Sequence, residues 1–108
     1  MISERRLNAR EPTSIRGRVC YGRDYALWAD CLIRDLSDGG AKLQVAAVHP
    51  LPQSFIVLQV IEGVAMTAKL KWRRGDLAGA SCPARHDLRG IVPGDLAPVR
   101  KLWLALNR

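Results

Sequence analysis

The clearest structural signal in this sequence is Val64-Ala65-Met66-Thr67-Ala68-Lys69-Leu70-Lys71-Trp72-Arg73, in which apolar side chains recur at every second position. This period of two is typical of a β-strand with one buried face. Glu62-Gly63 before it and residues 74–76 after it are turn sequences, so the segment is predicted to pair with a strand on either side. The alternation places Trp72 with the core-facing residues. This favours a core position over a role in base stacking, and both remain open.

Five further segments are predicted to be strands, at residues 15–21, 25–34, 41–45, 55–61 and 77–82. Short turns separate most of them. Six such strands predict an all-β fold, a small antiparallel barrel whose closure removes edge strands. Alternation alone does not separate a barrel from a sandwich.

A C-terminal helix is predicted over residues 95–108, with Asp95 as its N-cap. Its apolar residues Leu96, Val99, Trp103 and Leu106 share one face, which is expected to pack on the barrel. A contact with another molecule is the alternative. The predicted organisation is one domain with a flexible basic arm at 1–13, the barrel at 14–83, a linker at 84–94 and the helix.

The composition favours an anionic partner without naming it. Seventeen Lys and Arg against ten Asp and Glu give a formal net charge of +7, which also suits a merely soluble basic surface. The three cysteines are widely spaced and match no disulfide or zinc framework. With no apolar leader and no membrane-length apolar segment, we expect a cytoplasmic protein that does not insert into membranes. Without a catalytic motif, we expect no enzyme activity.

Two short motifs carry the functional signal: the basic arm contains Arg5, Arg6 and Arg10, and residues 35–40 read Asp-Leu-Ser-Asp-Gly-Gly. The arginine guanidinium fits phosphate oxygens and the O6 and N7 acceptors of guanine. Asp35 can accept hydrogen bonds from the N1-H and N2-H groups of guanine. Ser37 can contact either phosphate or base. Gly39 and Gly40 let a ligand approach the backbone closely, although a plain hairpin turn explains the same residues.

An Arg-x-x-x-Arg arm followed by Asp-x-Ser-x-x-Gly resembles the signature of the PilZ family, small bacterial β-barrel receptors for the second messenger cyclic di-GMP. The resemblance covers about residues 4–83. It implies that the arm arginines contact phosphates and guanine, that Asp35 and Ser37 contact the second guanine, and that Gly40 contributes its backbone. Residues 77–82 lack the aromatic ending often seen in that family.

The resemblance predicts a receptor that clamps cyclic di-GMP between the arm and the 35–40 turn and passes the signal to a downstream protein. No other cofactor and no metal are expected. The alternative is a PilZ-like interaction module that binds no nucleotide. General nucleic-acid binding is a third hypothesis that rests on charge alone, and it is not expected because no RNA- or DNA-binding motif accompanies the charge.

Overall fold

The computed structural model describes residues 11–107, so residues 1–10 of the predicted arm lie outside the described part. The strands are β1 (Glu11–Tyr21), β2 (Leu27–Ser37), β3 (Gly40–Val45), β4 (Ser54–Gln59), β5 (Val64–Arg74) and β6 (Leu77–Asp87), and the helix is α1 (Ala97–Leu106). All neighbouring strands are antiparallel, and the barrel closes in the order β1-β2-β3-β6-β5-β4. The predicted six-stranded antiparallel barrel with a C-terminal helix is confirmed.

Several strands are longer than the alternation predicts. β1 begins at Glu11, inside the predicted arm, and β2 continues through Ser37. β6 extends to Asp87, because its polar second half pairs with the start of β5, where Val64 lies opposite Asp87. The predicted linker at 84–94 therefore begins within β6. Strand ends without an apolar pattern are set by the partner strand, which the local sequence does not show.

The helix starts differently from the prediction. A 3-10 turn occupies Gly94–Leu96, and α1 follows from Ala97 with Pro98 in its first turn. Leu96 holds the N-cap position and Asp95 makes no capping hydrogen bond, so the predicted Asp95 cap is wrong. Proline suits this position because the first helical N-H groups have no intrahelical acceptor.

Buried side chains form one cluster inside the barrel and a second outside it, under α1. The inner cluster includes Val19, Ile33, Leu43, Val57 and Met66. The outer cluster consists of Cys20, Ile56, Leu58, Ala65, Leu88, Leu96, Val99 and Trp103. The helix thus packs on the outer face of β1, β4 and β5, as predicted from its apolar stripe.

Trp103 fixes the helix to the chain segment that follows β4. Its indole Nε1 donates a hydrogen bond of 2.8 Å to the carbonyl of Val60. Asn107, just past the helix, donates to the same carbonyl. Arg89 lies over the Trp103 ring and donates to the carbonyl of Glu62. This end of the barrel is therefore held by polar contacts as well as by apolar burial.

Arg73 holds the opposite end of the barrel together. Its guanidinium donates to the carbonyls of Gly75 and His49 at 2.9 Å and to those of Val45 and Ala46 at 3.1 Å. These four bonds join the β5–β6 turn to the loop between β3 and β4. Arg73 is therefore a structural side chain, and the candidate site lies elsewhere.

Candidate functional site

The 35–40 motif forms the end of one hairpin. Asp38 and Gly39 connect β2 to β3, and Ser37 pairs with Gly40 across the hairpin. The Ser37 hydroxyl donates to the Gly40 carbonyl at 3.3 Å. An ideal Cβ at Gly39 would meet nothing within 4 Å, and Gly39 has no positive φ. The turn therefore presents open backbone at Gly39, whereas Gly40 is buried.

A register shift in β2 directs Asp35 to the outer surface of the barrel. Ile33 pairs with Leu43, and both face the interior. Strict alternation would then direct Asp35 inward as well, but the shift at Arg34 pairs Asp35 with Lys42. The Asp35 carboxylate lies 3.5 Å from the Lys42 ammonium, and its side chain is 22% exposed. Bulges of this kind commonly re-aim a side chain beside a functional site.

A second register shift moves Trp72 out of the core. Leu70 pairs with Ala80 and packs on the inner cluster, whereas Trp72 pairs with Gly79, the next residue back along β6. The Trp72 side chain is 36% exposed on the outer face. The expectation that alternation favours a core position for Trp72 is wrong, because the bulge breaks the alternation between Leu70 and Trp72. An indole exposed in this way can stack with a base.

These residues line a shallow groove of about 210 Å³ on the outer face of β3, β5 and β6. Its lining consists of Ser37, Gly39, Gly40, Lys71, Trp72, Gly79, Ala80 and Ser81. The structure thus brings four of the predicted site residues together, and Asp35 lies just beyond them on β2. The groove is smaller than the roughly 300–1,000 Å³ of pockets that enclose a small molecule. It can hold one base or phosphate, and a larger ligand needs a further wall.

The register of β1 places the attachment point of the basic arm beside this groove. Arg5, Arg6 and Arg10 lie outside the described residues, but Glu11 pairs with Leu36, within the 35–40 motif. The Arg10 Cα is about 3.8 Å from that of Glu11 across a trans peptide. Five residues of extended chain span at most about 17 Å, so Arg6 is tethered within that distance of Glu11. The described start of β1, from which the arm extends, therefore lies next to the motif.

Lys42, Lys71 and Gly79 belong to the site, although the sequence does not mark them. Lys42 pairs with Asp35, and Lys71 and Gly79 line the groove. Lys42 and Lys71 occupy polar positions of alternating strands, where a lysine is usually a solvated charge. The pairing of β2 with β3 brings Lys42 to Asp35, and the pairings of β3 with β6 and of β6 with β5 bring Lys71 to the motif.

A second groove, of about 490 Å³, lies over β1, β2 and β3 and contains none of the predicted site residues. Its lining includes Arg16, but also Asp30 and Asp76. Asp30 pairs with Arg18 at 3.2 Å, and Asp76 accepts a bond from Gln44. Two carboxylates make this surface a poor site for an anion. The smaller groove beside the motif is the better candidate.

Cys20, Cys31 and the helix provide no further candidate site within the described residues. Burial raises the pKa of the Cys20 and Cys31 thiols to about 12, so neither is a nucleophile at neutral pH. Within residues 11–107, His, Cys, Asp and Glu side chains nowhere gather in a group of three that could bind a metal. Among the same residues, no helix has the length and apolar character needed to span a bilayer.

No protein-family model matches the chain, and no curated protein is significantly similar to it in sequence. The relationship to the PilZ family therefore stays a prediction. It rests on the two motifs and on the barrel.

Proposed function

We propose that this chain is a non-enzymatic, PilZ-like receptor for cyclic di-GMP. The dinucleotide binds on the outer face of the barrel, against Ser37, Gly39, Gly40 and Trp72, and the basic arm closes over it. Binding changes the surface around the arm, and a downstream protein reads that change. The receptor acts in the cytoplasm, a location that buried free cysteines favour.

The pairing of Glu11 with Leu36 is the observation that carries this proposal. It places the start of β1 next to the motif turn, and an arm that extends from Glu11 can reach a ligand bound there. Without this register, the two motifs could lie on opposite sides of the barrel, and no single ligand could contact both. The groove alone is too small for a dinucleotide, which fits a site whose second wall is the arm.

Each residue type matches one part of the ligand. The arginines bind the two phosphates and present donors to guanine O6 and N7. Asp35 accepts from the N1-H and N2-H edge of a guanine, and Trp72 offers a face for stacking. Lys71 adds positive charge in the groove. The net charge of +7 steers the anionic ligand toward the protein.

Isothermal calorimetry with cyclic di-GMP tests the proposal. Arg6→Ala and Arg10→Ala should each weaken binding by about 1.5–3 kcal/mol, as expected when a charge-assisted hydrogen bond is lost. Arg16→Ala is the matched control, because Arg16 is an exposed arginine that lines the other groove. An equal loss in all three variants would show diffuse electrostatic attraction instead of a specific site.

A titration with a random-sequence oligonucleotide separates the alternatives. Tight binding of the dinucleotide and weak, salt-sensitive binding of the oligonucleotide support the receptor. Comparable affinities contradict it and favour general nucleic-acid binding. If neither cyclic di-GMP nor the oligonucleotide binds, the receptor proposal is contradicted and the interaction module that binds no nucleotide is favoured.

A further inference from the structure

Gly79 is the residue on which the Trp72 indole rests. An ideal Cβ built at Gly79 would lie 2.1 Å from Trp72 Nε1, 2.5 Å from Cε2 and 2.8 Å from Cδ1. All three atoms belong to the five-membered ring, so that ring lies directly over the Gly79 backbone. Gly79 has no positive φ, and its backbone conformation therefore does not require glycine. Glycine is required at this position because the indole occupies the space that a Cβ would need.

The other face of the indole is only loosely covered. The Arg74 guanidinium lies over the ring, with its carbon 5.2 Å from the centroid. Arg18 stacks on Trp28 at 3.6 Å, which shows how close a flat contact in this protein can be. The wider spacing at Trp72, together with its exposure of 36%, leaves this face accessible to a planar ligand that moves Arg74 aside.

We propose that Gly79 is a positioning residue for base recognition: it lets the Trp72 indole lie flat across β6, with its free face toward the groove beside Ser37 and Gly40. The inference rests on the proposed function, because the ligand base is the guanine of cyclic di-GMP. Gly79 itself does not touch the base. Gly79 contributes by fixing the orientation of the Trp72 ring and its distance from the β6 backbone.

A single methyl group at this position has a defined effect. Ordinary van der Waals contact requires about 3.4 Å, so Gly79→Ala must displace the indole by about 1.3 Å from its present 2.1 Å separation. Stacking of a base on an aromatic side chain contributes about 1–3 kcal/mol, which corresponds to roughly 5- to 150-fold in affinity. Trp72→Ala should lose that whole factor, and Gly79→Ala at least about fivefold.

A double-mutant cycle measured by calorimetry with cyclic di-GMP tests the assignment. Gly79→Ala should weaken binding in the wild-type background and change it less than about twofold in the Trp72→Ala background. Gly94→Ala is the matched control, because a Cβ there meets nothing within 4 Å and its site is remote from the groove. An equal loss in both backgrounds would show that Gly79 acts independently of Trp72 and would overturn the inference.

The free protein provides a test that needs no ligand. The indole N-H resonance of Trp72, identified by its loss in Trp72→Ala, should shift in Gly79→Ala and stay in place in Gly94→Ala. An unchanged resonance overturns the positioning role whatever the ligand does. If the wild type does not bind cyclic di-GMP, the proposed function fails, while the resonance still reports whether Gly79 seats the indole.

The double variant also covers the case in which Gly79→Ala does not fold. If Gly79→Ala is unfolded and Gly79→Ala with Trp72→Ala is folded by circular dichroism, the clash with the indole is established. If both variants are unfolded, Gly79 serves the barrel independently of Trp72, and the inference is wrong.

Discussion

Trp103→Ala should detach α1 from the barrel without unfolding it. The side chain is 9% exposed, donates a 2.8 Å hydrogen bond to Val60 and lies against Gly63, where a Cβ would be 2.7 Å from its ring. Truncation of a buried tryptophan costs about 3–5 kcal/mol, of which the hydrogen bond accounts for about 1 kcal/mol. Small domains have about 5–15 kcal/mol of stability, so the barrel should survive.

Urea denaturation and thiol labelling measure the two parts of this prediction. With a slope of about 1–3 kcal/mol per molar urea, a loss of about 3–5 kcal/mol should lower the urea midpoint by roughly 1–5 M. Cys20 lies fully buried in the cluster under α1. In a chain whose other two cysteines are replaced by Cys31→Ala and Cys82→Ala, adding Trp103→Ala should therefore make Cys20 reactive toward a thiol-labelling reagent. Trp103→Phe should lose only about 1–2 kcal/mol, because the ring stays and the donor goes.

Leu104→Ala is the control on the same helix, since Leu104 is 51% exposed and its truncation should change stability by less than about 0.5 kcal/mol. A loss below 1 kcal/mol in Trp103→Ala, or a Cys20 thiol that stays inert, would refute the view that Trp103 holds the helix over the outer cluster.

Three further predictions follow from other parts of the barrel. Arg73→Ala should lower the free energy of unfolding by about 2–4 kcal/mol in urea denaturation, because four carbonyls lose their hydrogen-bond donor. Arg74→Ala should lower it by less than about 0.5 kcal/mol. Equal losses would contradict the view that Arg73 holds the β5–β6 turn to the loop between β3 and β4. Burial raises the pKa of Cys20 and Cys31 to about 12, above the unfolded value of 9.0, so stability is full below pH 9 and declines above it as unfolded thiols ionise. Between pH 8 and pH 10 the free energy of unfolding should fall by about 1.4 kcal/mol for each of these thiols. A chain that carries both Cys20→Ala and Cys31→Ala should not show this fall. Wild-type protein should bind cyclic di-GMP at least about tenfold more tightly than cyclic di-AMP in competition titrations. Asp35→Ala should reduce this affinity ratio. An unchanged ratio would show that Asp35 does not recognise guanine.

The barrel could be predicted because its strands and turns are encoded locally. Residues 64–73 alternate without interruption, and paired turn residues separate most strands, so six strands follow from the amino-acid sequence. The terminal helix follows equally from the apolar stripe that includes Val99 and Trp103. The position of the 35–40 motif at the end of β2 also followed from the sequence.

The directions of the site side chains could not be predicted in this way. Asp35 and Trp72 both depend on register shifts, and a shift is a relation between two strands that neither strand encodes alone. For the same reason, the sequence gives no sign that Lys42 meets Asp35 or that Gly79 lies under Trp72. Alternation predicts the core well along most of the barrel and fails at the two bulges beside Asp35 and Trp72.

The bulge at Arg34 makes the candidate site depend on residue count as well as on residue type. Deleting Arg34 would leave every letter of the Asp-x-Ser-x-x-Gly motif in place. It would also remove the bulge, and regular alternation from the inward-facing Ile33 would still direct the carboxylate outward, opposite Lys42. A chain that keeps a residue at this position but pairs without the bulge would instead direct the carboxylate into the barrel, although every letter of the motif is present. The number of residues between the last core-facing side chain and the aspartate, taken together with the presence of a bulge, is thus a criterion for judging whether another chain with this motif can bind the same ligand.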